Sequence, residues 1–348
     1  MRRWLQTVIG LAAGRCFAFA ERLGYRPATR LIPSFMPPVA LRLANMLRAG
    51  EYDRVRYTLS RLHPESLFVV LEAMLDGLDG MESSDRWLER LWQWYRTNRE
   101  VYAMTALIQG LLRHARLCQS SGRRQAESLD ALEEAERLLD KAIERQPDNA
   151  DLLSLRLVTA RGLAMPLSEH WKRFRALLLV APEHYRGHRE MLENLKPGAA
   201  GSHDAMFRLA RARAASLPIT HPLRTLPVLA HLAVCETVIP AGAHDDSASW
   251  FRQPAVVEEI VGIWQSLRDT LAEQGTAQAD ELLNHLAAAL YLCGCFELAT
   301  EALAHIDGRC SAAPWRLLCR SAKERHNPGW VVDRIKAEIA ANSSVVTQ

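Results

Sequence analysis

Two stretches carry residue types that could do chemistry. In "CGCFELATEALAHIDGRC", Cys293 and Cys295 lie one residue apart with Cys310 following, and in "EHYRGHRE", His184 and His188 lie four apart. Closely spaced thiolates could hold zinc or exchange disulfides, and histidines at i and i+4 on a helix could share a metal ion. Zinc sites usually pair Cys-x2-Cys with a second ligand pair, whereas here the spacing is Cys-x-Cys and Cys310 and Cys319 follow unevenly. Beside the histidines, Tyr185 stands where a zinc protease carries its glutamate base, and His170, His203 or Glu190 would have to supply a third ligand. The chain contains no phosphate-binding glycine loop, dinucleotide fingerprint, nucleophile elbow or kinase signature. No catalytic residue, metal ligand or cofactor is assigned on this basis, and a metal-assisted hydrolase using His184 and His188 stands as the alternative.

The elements that would position such groups are helical. Leu, Ala, Arg and Glu dominate the 348 residues, and alternating runs of Val, Ile and Thr are nearly absent. Hydrophobic content of 49% and charged content of 24% suit a folded protein rather than a disordered one. Seven unevenly spaced cysteines, an odd number, point to a reducing compartment. "DRWLERLWQWY" places Trp87, Leu88, Leu91, Trp92 and Tyr95 at helical spacing as a core stripe, and Pro182-Glu183 reads as a helix start.

Three stretches share one register. "MLRAGEYDRVRYTLSRL" runs Gly50, Tyr52, Val55, Leu59, Leu62. The cysteine stretch repeats this with Gly294, Phe296, Ala299, Leu303 and Ile306. A third has Leu132, Ala135, Leu139, Ala142 and Pro147, with Asp130 at the glycine position. The physical sense is a glycine turn joining two antiparallel helices, an aromatic across the joint, and a small residue where the axes approach. Cys293 and Cys295 then become small residues flanking a turn.

This register resembles the tetratricopeptide repeat. The resemblance implies an all-α fold of antiparallel hairpins stacked as a TPR-like superhelix, or α-solenoid, in two lobes. It also implies groove-facing positions: Ala44, Leu47 and Arg48 in the first repeat, and Glu281, Asn284, Ala288 and Tyr291 in the last. Arg48, Asn284 and Tyr291 are the expected partner contacts. Leu195, Pro197, Gly201, Ser202 and Met206 are further similar to a Leu-x-Pro-x-Trp-Gly-Gly-Ser segment of an uncharacterised bacterial helical family, with Ala199 and Ala200 replacing its tryptophan and first glycine.

Charge is uneven. Residues 1–50 hold eight arginines against Glu21 alone, and the remainder holds 35 basic and 39 acidic side chains. Arg2, Arg3, Arg15, Arg22, Arg26 and Arg30 give a basic arm whose helical wheel suits a packed first helix, a membrane-interface helix or a cleaved signal. The expected organisation is an arm over 1–38, a helical lobe over 39–238, a linker over 239–254, a second lobe over 255–341 and a disordered tail over 342–348. The expected function is a non-enzymatic scaffold or adaptor that holds a polypeptide in a concave groove, in the cytoplasm or at an anionic inner-membrane surface through residues 1–30. An RNA-binding repeat protein is a further alternative, disfavoured by the slightly acidic body.

Overall fold

The computed structural model describes residues 38–122, 124–199, 201–238, 249–306 and 310–346. The basic arm, including Arg2, Arg3, Arg15, Arg22, Arg26 and Arg30, lies outside them. The described residues are all-α, with no β-strand among them. No helix among them is long and apolar enough to cross a membrane.

Two compact units divide between Met206 and Phe207. The boundary expected at 239–254 is therefore misplaced, because a small, polar, proline-bearing stretch marks a connection inside a unit as readily as one between units. Residues 239–248 lie outside the described set, and Pro254 opens a helix.

In the unit 35–206 the helices are α1 (Pro38–Arg48), α2 (Tyr52–Ser60), α3 (Pro64–Asp79), α4 (Ser84–Asn98), α5 (Val101–Ser121), α6 (Gln125–Arg145), α7 (Ala150–Gly162), α8 (Leu167–Val180) and α9 (Tyr185–Asn194). Each packs on a neighbour in sequence, and the odd-numbered helices also pack on the next but one: α1 on α3, α3 on α5, α5 on α7, and α7 on α9. They form one inner layer. Trp87 and Leu91 of the expected stripe are fully buried, Leu88, Trp92 and Tyr95 are half-buried against the core, and Trp94, which the stripe did not include, is fully buried. Each such side chain contributes roughly 1.5–3 kcal/mol by leaving water. Close approach of α4 and α5 depends on Gly110, where a Cβ would lie 2.4 Å from the Leu91 Cδ1.

In the unit beginning at Phe207 the principal helices are α10 (His203–Ala215, which begins before the division), α11 (Leu226–Val238), α12 (Pro254–Gln274), α13 (Ala277–Leu292), α14 (Phe296–Ile306), a short α15 (Ala322–His326) and α16 (Gly329–Val346). α13 is central and packs on α11, α12 and α14. Leu282, Leu283, Leu286, Ala287 and Leu290 are all buried along it. α16 continues to Val346, so residues 342–346 of the expected tail are helical, and 347–348 lie outside the described residues.

The glycine turns fall where the register placed them in two cases out of three. Gly50 and Gly294 are left-handed, at φ 74° and 77°. The residue after each donates its N–H five positions back along the turn, Glu51 to the Met46 carbonyl and Cys295 to the Leu290 carbonyl, both at 3.0 Å. Val55, Leu59, Ala299, Leu303 and Ile306 are buried as the register requires. The third copy fails, because Asp130 lies inside α6 and the turn is upstream at Gly122, φ 64°. Asp lacks glycine's access to the left-handed region, so the register aligned a helix interior with a turn. Pro182 and Glu183 likewise form a turn, and helix α9 starts at Tyr185 with His184 as its N-cap.

Candidate anion-binding cavity

The inner layer closes around a cavity of about 40 Å³ lined from four alternate helices. α3 gives Glu72 and Leu75; α5 gives Gln109, Leu112, Arg113 and Arg116; α7 gives Leu155, Val158 and Arg161; α9 gives Arg186, Arg189 and Glu190. Arg113 and Arg116 are three apart in "RHAR", and Arg186 and Arg189 are three apart in "RGHR", so each pair projects from one helix face. Leu75, Leu112, Leu155 and Val158 form the apolar wall beside them.

The arginines differ in how they are held. Arg186 Nη1 and Nη2 donate to the two Glu72 carboxylate oxygens at 3.0 and 3.3 Å, and its guanidinium lies 4.2 Å from the centre of the Phe68 ring. Arg161 Nη2 donates to Glu190 at 2.8 Å, and its Nη1 to Asn194 Oδ1 at 2.6 Å. Arg189 reaches the other Glu190 oxygen at 3.4 Å. Arg113 pairs with Asp76 at 2.6 Å and with Asp79. Arg116 is exposed as a residue, yet it lines the cavity, and among the described residues no ion pair or hydrogen bond engages it. Desolvation, together with the like charges of Arg186 and Arg113, holds its pKa below the ordinary arginine range against the pull of Glu190 and Glu72.

The acids are firmly ionised. Burial alone would raise the Glu190 carboxyl, but Arg161, Arg189 and Arg186 outweigh it and bring it to about 2. Glu72 is lowered in the same way, burial being overcome by Arg186, Arg189 and Arg116. Both lining carboxylates are therefore ionised at neutral pH. The lining holds five guanidinium groups, of which Arg116 alone has no ion pair or hydrogen bond among the described residues, and two carboxylates. Gln109 is buried in the same wall and its Oε1 accepts no hydrogen bond. The arrangement can grip a small anion and offer one acceptor to a neighbouring donor.

The contacts expected from the repeat resemblance fall in both units and differ in exposure. Asn284 is fully buried in α13, where Nδ2 donates to the Asp280 carbonyl at 2.7 Å and Oδ1 accepts from Trp315 Nε1 at 2.8 Å and Ser311 N–H at 3.2 Å. It is a core bridge, unavailable to a partner. The Tyr291 hydroxyl is half-buried and donates to Glu338. Arg48 is exposed at the end of α1, in the other unit, with Nη1 3.3 Å from the Met81 sulfur. Ala44 and Leu47 are fully buried in the inner layer and Ala288 in the core around α13, where an open groove would display them; Glu281 is half-buried.

The histidine pair is not displayed on one helix face. His184 accepts the Gly187 N–H on Nδ1 and meets Asp151 on Nε2, both at 3.2 Å. His188 is fully buried, with Nδ1 3.0 Å from the His184 carbonyl and its ring edge-on to Phe174. Burial pushes the Cys293 thiol up to about 12 and Cys310 to about 11, so both are protonated at neutral pH. No known family model, curated protein or solved structure matches this chain.

Sequence reasoning missed the cavity arginines because Arg interleaved with Glu reads as a solvated helix face. The available signal was the Arg-x-x-Arg spacing recurring on two helices of the same layer.

Proposed function

We propose that this chain is a TPR-like helical-repeat adaptor that binds a polypeptide partner by gripping one of its acidic groups, a side-chain or terminal carboxylate, in the arginine cavity. The observation that carries this reading is Arg116, a desolvated cation lining the cavity that no ion pair or hydrogen bond engages among the described residues. Structures retain such a disfavoured charge where function needs it. Packing of α1, α3, α5, α7 and α9 as a single layer supports a solenoid in which alternate helices line the inner face. The small volume favours the tip of a larger partner over an enclosed metabolite, since whole-ligand pockets are roughly 300–1,000 Å³. The buried Gln109 acceptor suits a peptide N–H adjoining the captured carboxylate.

The test is fluorescence anisotropy of the intact chain with a labelled glutamate-rich peptide, a lysine-rich control and unlabelled citrate as competitor. The glutamate peptide should bind, weaken with salt and be displaced by citrate. Equal binding of both peptides, or of neither, would remove the proposal.

A further inference from the structure

A second cluster lies near the C-terminal end of α5, on residues that do not line the cavity, around its turn into α6. His114 and Cys118 stand one helical turn apart near the end of α5, both buried, and Glu127 comes from the first turn of α6. One ligand atom from each lies within 4.8 Å of the other two. His114 Nε2 is 3.4 Å from Cys118 Sγ. Tetrahedral zinc, with Zn–N of about 2.0 Å and Zn–S of about 2.3 Å, sets its nitrogen and sulfur ligands about 3.5 Å apart. The ring is oriented from both sides: it stands edge-on to Trp87, and Nδ1 faces Asp85 Oδ1 at 3.9 Å. That places a carboxylate behind the nitrogen opposite the thiol, as second partners of zinc-bound histidines commonly stand. The buried Nδ1 has no hydrogen bond at this separation, and a small inward movement of the exposed Asp85 would supply one.

We propose that His114 Nε2, Cys118 Sγ and the Glu127 carboxylate bind one zinc ion, with water as the fourth ligand and Asp85 orienting the imidazole. The mixed nitrogen, sulfur and oxygen set suits zinc or cobalt and disfavours magnesium and calcium, which take oxygen ligands. Arg124 supplies the competing state. Its guanidinium donates to Glu127 at 2.6 Å and to Asp85 at 2.9 Å, placing a positive charge beside both carboxylates. A zinc ion takes over that role by drawing Glu127 to itself and releasing Arg124 to solvent. On binding, the Cys118 thiol gives its proton to solvent and the thiolate pair forms the sulfur–zinc bond. The ion would clip α5 to α6 across the Gly122 turn, independently of the arginine cavity.

The test titrates the purified full-length chain with cobalt, reading the thiolate-to-cobalt charge-transfer band, and then displaces cobalt with zinc. One equivalent should bind with that band, Cys118→Ala should abolish it, and Glu127→Gln should weaken binding at least tenfold. Arg124→Ala should tighten binding, because the competing ion pairs are gone. Cys293→Ala should change nothing. No charge-transfer band, a band that survives Cys118→Ala, or a loss of affinity in Arg124→Ala would each overturn the site. Circular dichroism of each variant separates loss of the site from loss of the fold.

Discussion

Arg186 in α9 reaches Glu72 in α3, 114 positions earlier, through a two-point ion pair. Helices three steps apart in an open stack of hairpins would stand well separated. Here side chains of α3 and α9 meet across the inner layer, and both residues line the same partly open cavity. The pair thus holds the cavity wall together, and the proposed anion site depends on that contact.

The buried acid that organises the cavity should make stability depend on pH in a defined sense. Glu190 is held at about 2 in the folded chain, against about 4.3 when unfolded. A depressed folded value means that its stabilisation is complete above the unfolded value and lost as pH falls from about 5 towards 2. Glu190→Gln should therefore cost about 3 kcal/mol at pH 7, by leaving Arg161 and Arg189 uncompensated. Denaturant unfolding should show that cost shrinking as pH approaches 3. A cost independent of pH would mean that the carboxylate charge is not what matters.

The repeat turns offer a cleaner conformational test. A Cβ built on Gly50 or Gly294 meets nothing within 4 Å, so substitution there strains the backbone without a clash. Either Gly→Ala change should cost about 1–2 kcal/mol, and Gly→Val more, read as a lower melting temperature. The double change Cys293→Ala and Cys295→Ala should cost less than Gly294→Val. The reverse order would show that the thiols, rather than the turn, matter in that segment.

Asn284 answers two donors and a carbonyl inside the second unit. Asn284→Ala should destabilise the fold by about 3 kcal/mol, since it leaves the Trp315 and Ser311 N–H groups without their acceptor. It should leave peptide affinity unchanged in material that remains folded. A thermal shift matching less than about 0.5 kcal/mol, the range of an ordinary surface change, would restore Asn284 as a contact residue.

What was legible in the sequence follows from range. Helices rest on local periodicity and the two glycine turns on single residues, and both are readable in a window of a dozen positions. Asp130 shows the limit, because a pattern of Leu and Ala at helical spacing continues through a 21-residue helix just as it does after a turn. The cavity depends on α3, α5, α7 and α9 meeting, a relationship that no local window contains. Its arginines look the same in sequence as those on a solvated face. Asn284 was misjudged for the related reason that a polar residue reads as exposed until its three partners are known.

The central claim rests on Arg116, and a paired measurement tests it most directly: the affinity of the glutamate-rich peptide and the denaturant stability of the intact chain, each compared between wild type and Arg116→Ala. Removing a desolvated cation that makes no direct ion pair or hydrogen bond should leave stability nearly unchanged. It should weaken peptide binding about tenfold, the equivalent of about 1.4 kcal/mol. Unchanged affinity, or a stability loss that accounts for the weaker binding, would contradict the account.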